Sequence, residues 1–301
     1  MEFIDKKGRR DWAHSILQSF LNRCLDCNPY PADLYEALKS DTEPDTTINP
    51  NQETTYKRLL IGILDDSCKG EGYPSGIGRC CYCMRTIRAS ETHSTLEHII
   101  PNKTSKIEDY EKYFSVSSNL ERDQRVMVYR ELFLSRHKKT APPFPHNVAY
   151  ENLVASCDGS LPKGSTQHLC CNNPRGDQFV PPFLFMNDIH QEFIYNSQRG
   201  TVTWKKNSQI DKRVRAQVIN DILNLNCGIL RMIRMIWSFL AENGQDCEIS
   251  PGKKKWVIDT LYQRCDETDK EEILNFNYDN YWSLLEEYRY FNDKNKFSYP
   301  L

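Results

Sequence analysis

Several things are scarce in this 301-residue chain, and each absence excludes a class. No apolar stretch approaches the roughly 18 residues that a membrane-spanning helix needs. The longest apolar run, from Ile229 to Leu240, is broken by Arg231 and Arg234. The opening MEFIDKKGRRD carries too much charge for a secretory signal, which requires an apolar centre. A soluble, cytoplasmic protein without membrane contact is therefore expected. Glycine (13) and proline (15) are too few for a collagen-like or low-complexity chain. Charge of one sign is missing too: 39 Lys and Arg against 41 Asp and Glu leave a net charge of -2, so any grip on nucleic acid must come from a local patch, a metal or a partner. PKGST at 162–166 lacks the G-x4-G-K-[ST] order of a P-loop.

Cysteine is abundant. Of the 12, six fall in two short segments, Cys80, Cys81 and Cys83, then Cys157, Cys170 and Cys171. In a chain without export signals such clusters read as metal ligands before disulfides. Cys80 and Cys83 form C-x2-C, the knuckle spacing that lets two thiolates share a tetrahedral zinc. Cys157 and the Cys170-Cys171 pair are candidates for the other half. Cys24 and Cys27 repeat the spacing, but Cys24 continues an apolar helical stripe and no second pair accompanies it, which assigns it to a core.

Length allows roughly two domains at about 150 residues each. Residues 1–75 read as helical: Trp12, Ile16, Leu17, Phe20, Leu21 and Cys24 repeat on one helical face, ADLYEALK follows Pro31 as an N1 proline, and Tyr56, Leu59, Leu60, Ile63 and Leu64 mark a third helix. Residues 76–180 hold the cysteine clusters around an insertion at 102–147, whose helix starts near Asn119 and ends in the basic cluster Arg136 to Lys139. Residues 181–301 begin with a hairpin (EFIYN, SQRG, TVTW). Amphipathic helices follow over DKRVRAQVINDILNLN and CGILRMIRMIWSFLAENG, then around Trp256 to Cys265 and Tyr281 to Phe291.

Between the cysteine clusters lies LEHIIP, with Glu97 and His98; then come ENLVASC, with Asn152, and CCNNPRG, with Asn172 and Arg175. This order resembles the HNH endonuclease family, whose pattern runs C-x2-C, (D/E)-H-(I/V)-x-P, N-L-x3-C and C-N-x2-K-G. The likeness covers roughly 76–180, with Arg175 in place of Lys and 54 positions between His98 and Asn152. It implies an α+β, mostly helical chain in which a zinc-stapled ββα-metal (HNH) core sits between N- and C-terminal helical segments. It implies structural Zn2+ on Cys80, Cys83, Cys157 and Cys171, with Cys170 or His168 as alternatives to Cys171. It makes His98 the general base, Glu97 and Asn172 ligands of a catalytic Mg2+ or Mn2+, Asn152 a residue that positions the His-bearing loop or shares the metal site, and Arg175 a phosphate holder. The flanks are similar to the nuclease subunits of retron-associated and Septu-type anti-phage systems (the PtuB type). That implies a nucleic-acid substrate, DNA favoured and RNA possible, and an ATPase partner of the PtuA type. Two rivals stand beside this reading: a zinc-stabilised nucleic-acid-binding or scaffold module without catalysis, and a stand-alone HNH restriction enzyme.

Overall fold

Helix α1 (Arg10–Asp26) forms where the stripe predicts it, burying Ala13, Ile16, Leu17, Phe20 and Cys24. Asp11 in its first turn and Arg23 in its last complement the helix dipole. Arg23 also pairs with Asp41 at 2.6 Å, beyond the end of α2 (Leu34–Ser40). Here the expectation needs correcting. The helix starts not at Pro31 but after Asp33, whose carboxylate accepts from the amides of Tyr35 and Glu36, two donors that the helix start would otherwise leave unpaired.

The computed structural model describes residues 1, 4, 10–28, 33–41, 57–58, 61, 77–88, 94–99, 101, 147–160, 170–178, 180, 192–205, 216–274 and 278–298. Pro31, most of the expected third helix, the helix of the insertion, the cluster Arg136 to Lys139 and His168 lie outside these residues.

The fold is α+β, with small sheets set among helices. Strand β1 (Ile77–Arg79) pairs antiparallel with β2 (Thr86–Arg88) across the Cys80–Cys83 knuckle. Strand β3 (Ser94–His98) pairs antiparallel with β4 (Leu153–Cys157), in register from Ser94 opposite Cys157 to His98 opposite Leu153. A 3-10 turn, Tyr150–Asn152, leads into β4, and the one-turn helix α3 (Asn172–Arg175) follows Cys171. The expected hairpin forms as β5 (Phe193–Asn196) and β6 (Val202–Trp204). A short strand that the sequence did not announce, β7 (Phe297–Ser298), lies parallel to β5.

Helix α4 (Gly228–Glu242) was expected to be amphipathic, but it is buried almost all round. The two arginines that interrupt its apolar run are buried because they serve carbonyls. Arg234 donates to the Gly200 and Leu225 oxygens at 2.9 and 2.8 Å, and Arg231 Nε donates to Arg199 O at 3.0 Å. Asn243 and Gly244 (φ +60°) close the helix as expected. A π-helical turn, Gln217–Ile222, precedes α4. After it come α5 (Pro251–Tyr262), α6 (Glu267–Leu274) and α7 (Tyr278–Leu285), the last running into a 3-10 turn at Glu286–Asn292.

Two apolar clusters result. The larger joins the cysteine segments to β5, β6, α4 and the C-terminal helices in one core, so the parts on either side of residue 180 fold around shared side chains. The smaller lies between α1, α2 and the other side of the β3–β4 hairpin, around Leu96, Tyr150 and Leu153. Among the described residues, no helix is long and apolar enough to cross a membrane.

Candidate metal centre and the strand beside it

The knuckle turn is built by backbone bonds. Cys80 N donates to Arg85 O at 2.7 Å, Met84 N donates to Cys80 O at 3.1 Å, and Met84 adopts φ +66° to close it. Cys81 N donates to Ala155 O at 3.0 Å, tying the knuckle to β4, which ends in Cys157. Cys171, also at positive φ, is anchored through its amide to Leu223 O at 2.9 Å. The sulfurs of Cys80, Cys83, Cys157 and Cys171 then lie within 4.8 Å of one another, all buried. The Cys80–Cys171 and Cys83–Cys157 separations are both 3.7 Å. A tetrahedral zinc with Zn–S bonds of about 2.3 Å requires edges of about 3.8 Å. The donor set and spacing fit a structural metal such as zinc. The ligand group includes Cys171, as the sequence pattern suggested, while Cys170 is fully buried next to it.

The electrostatics agree. Burial acts to raise the Cys80 thiol, but the neighbouring thiols of Cys157, Cys171 and Cys81 outweigh it and bring it down to about 5. Cys83 is likewise held well below the ordinary thiol range against its burial, by the Cys157, Cys170 and Cys171 thiols. Cys157 and Cys171 are pushed well up, Cys157 chiefly by the Cys170 thiol and Cys171 chiefly by burial. Without a cation the group cannot hold four thiolates, because each new charge is buried among the others. A divalent metal removes that conflict.

The C-terminal part encloses the centre. The Tyr288 hydroxyl lies 3.7 Å from Cys83 Sγ, and Arg85 bridges from Glu287, at 2.5 Å, to the Ser160 carbonyl. Gly159, at φ +84°, allows the loop to close: a Cβ there would stand 2.0 Å from Cys170 O.

Strand β3 carries the other expected site residues, and the pleat divides them. Thr95 and Glu97 face α3, where Asn172 Nδ2 donates to Thr95 Oγ1 at 3.3 Å and Arg175 pairs with Glu97. Leu96 and His98 face α2: the Tyr35 hydroxyl donates to Leu96 O, and the Tyr35 ring lies 4.3 Å from the His98 ring. His98 Nε2 is 2.8 Å from Asn147 O. A carbonyl only accepts, so Nε2 carries the hydrogen, and in the neutral ring the lone pair is on Nδ1. Asn152 is fully buried, and its carbonyl accepts from Ile99 N at 2.9 Å, which fixes the exit of β3. Glu97 and His98 are adjacent in sequence but lie on opposite sides of the strand, both largely buried.

Arg175 departs from its expected role as a phosphate holder. It is 1% exposed, and its donors are committed within the chain. Nε bonds Gln178 O at 3.0 Å; Nη1 bonds Tyr82 Oη at 3.3 Å and Glu97 Oε1; Nη2 bonds the His98 and Ile99 carbonyls. It therefore locks α3 to the end of β3 and to the knuckle. Burial pushes the Glu97 carboxyl up to about 7 even against the Arg175 charge, and Glu97 Oε2 is buried with no hydrogen-bond partner among the described residues. When the carboxyl is ionised, that oxygen suits a hard cation. Among the described residues no second group of three or more His, Cys, Asp or Glu ligands assembles. Sequence reasoning missed Tyr82, Tyr35, Arg85 and Tyr288. Only the placement of Tyr82 and Arg85 beside the C-x2-C could have hinted at them. Comparison of the chain with protein-family models, curated proteins and solved structures finds no match.

Proposed function

We propose that the chain is a metal-dependent nuclease of the HNH type that hydrolyses phosphodiester bonds of nucleic acid. The observation that carries this is the paired β3 and β4 followed by α3, beside four clustered cysteines, with Glu97 and His98 at the end of β3 and Asn172 and Arg175 on α3. In this reading the four cysteines hold zinc for folding alone. His98, oriented through Nε2 by the Asn147 carbonyl, takes the proton of the attacking water at Nδ1. Asn152 holds the exit of β3 through its backbone. Glu97 Oε2 and the Asn172 side chain are the donors for Mg2+ or Mn2+; when bound, that ion supplies neutralisation of charge on the phosphate and leaving oxygen. Arg175 positions Glu97 and does not touch phosphate.

The experiment is cleavage of duplex DNA, single-stranded DNA and RNA by zinc-loaded protein with Mg2+ or Mn2+. His98→Ala should lower turnover by about 10²- to 10⁴-fold in protein that still folds and holds zinc, with only a modest fall in melting temperature from the lost Asn147 bond and Tyr35 contact. A folded, zinc-loaded His98→Ala protein cutting at the wild-type rate would remove this mechanism. The chain has no P-loop, so energy-coupled action in anti-phage defence is assigned to an ATPase partner of the PtuA type. Co-elution of the two after co-expression tests that, and separate elution with no mutual effect on activity contradicts it.

One observation favours a second reading. Glu97 and His98 lie on opposite sides of β3, and Glu97 Oε1 is taken by Arg175. A zinc-stabilised nucleic-acid-binding module without catalysis needs no base beside a metal ligand. It predicts retarded nucleic acid on gels with no cleavage under any divalent metal.

A further inference from the structure

A cavity of about 150 Å³ opens between the β5–β6 turn, α4 and α5. Its apolar side is formed by Phe239 and Leu261, among others, and its polar side by Ser197, Ser238, Glu242 and Arg264. None of these belongs to the cysteine centre or to β3. Three observations bear on what it holds. First, one wall is tied to its neighbour. The turn from Ser197 to Gly200 is fixed onto α4, because Arg231 and Arg234 donate to the Arg199 and Gly200 carbonyls. Gly200 (φ +62°) sits so close that a Cβ would stand 2.0 Å from Arg231 O. Second, the cavity brings together a carboxylate and a guanidinium that form no ion pair with each other. Glu242 accepts from Ser238 Oγ at 3.1 Å, while Arg264 has no ion pair among the described residues. Third, Ser197 is 6% exposed and its hydroxyl has no hydrogen-bond partner among the described residues, so this wall group gains a bond when a polar ligand fills the space.

We infer that this cavity is a binding site for a small zwitterion of the free amino-acid type. Its carboxylate would meet the Arg264 fork, its ammonium the Glu242 carboxylate, and its short side chain Phe239 and Leu261. The volume sets the size, since a cavity of about 150 Å³ holds a ligand the size of benzene, about six heavy atoms. That admits alanine or serine and excludes nucleotides. The opposed charges set the chemistry, because a simple anion would face Glu242 and a simple cation would face Arg264. The inference is independent of the nuclease reading.

The test is thermal melting and titration calorimetry of the zinc-loaded full chain with free amino acids at millimolar concentration, with acetate and methylammonium as single-charge controls. A saturable rise in melting temperature is expected for small amino acids and not for either control. Arg264→Gln and Glu242→Gln alter exposed side chains, so both should fold, and each should weaken binding about tenfold or more through loss of a charge-assisted contact. No saturable response to any amino acid overturns the assignment. So does equal binding to the single-charge controls, or binding that survives both substitutions unchanged. Cleavage activity is not a readout, so loss of the nuclease reading leaves this test intact.

Discussion

Replacing Arg175 with Gln removes a guanidinium that holds five partners in a fully buried position. Glu97 loses its counter-charge, and the carbonyls of His98, Ile99 and Gln178 and the Tyr82 hydroxyl each lose a donor. Breaking a buried ion pair by removing one member costs about 3–5 kcal/mol, and each buried acceptor left without a donor adds about 1–3 kcal/mol. These terms are not additive. Glu97 is already raised to about 7, so without Arg175 it takes a proton and limits its share of the loss. A destabilisation of about 4 kcal/mol or more follows, against a total of about 5–15 kcal/mol for a typical domain. Urea unfolding of zinc-loaded protein, followed by tryptophan fluorescence, measures it. The double substitution Arg175→Met with Glu97→Gln leaves no uncompensated charge and should recover part of the loss. Arg175→Lys should not, because an ammonium cannot reproduce the planar fork. A loss under about 1 kcal/mol for Arg175→Gln, together with weakened nucleic-acid affinity, would refute the positioning role and restore the phosphate-holding one.

Native protein should contain about one tightly bound zinc per chain, and Cys80→Ser should release it and lower the melting temperature sharply, both measured by elemental analysis and calorimetry. Gly159→Ala should destabilise by at least about 1–2 kcal/mol, since it adds a left-handed backbone penalty to a clash with the Cys170 carbonyl, and zinc should exchange faster with a chelator. Asp33→Ala should cost about 0.5–2 kcal/mol through loss of the α2 cap while zinc content stays constant.

Much of this was legible in the sequence where local rules apply. The α1 stripe, the β5–β6 hairpin, the Asn243-Gly244 cap and the C-x2-C knuckle each depend on neighbours a few positions away. Cys157 and Cys171 were readable as members of the cysteine cluster because residue type and order narrow the choice of candidate metal ligand. What the sequence hid depends on distant partners. Glu97 and His98 look like a working pair when written side by side, but pairing with β4 fixes the pleat and sends them to opposite sides. Arg175 has the residue type of an anion binder, and only the approach of Tyr82 and the end of β3 makes it an internal brace. Helix α4 has two arginines that suggest a wet face, yet the carbonyls of a distant turn take them up. Strand β7 spans only Phe297–Ser298, too short to show alternation.

The enclosure of the cysteine centre by Tyr288 also bears on how the chain reaches its fold. The Cys80–Cys171 contact spans 91 positions, Cys83–Cys157 spans 74, and Cys83–Tyr288 spans 205. Such high contact order slows folding, since long loops must close before their contacts stabilise anything. During synthesis the knuckle leaves the ribosome long before the segment that covers it, so the thiols stay open to metal, oxidant and chaperone until the Tyr288 segment has been made. A metal taken up by these sulfurs would be captured before sealing. In the finished protein the Tyr288 segment would then bar metal escape, so Tyr288→Ala in the full chain should accelerate zinc transfer to a chelator far more than it lowers equilibrium zinc content.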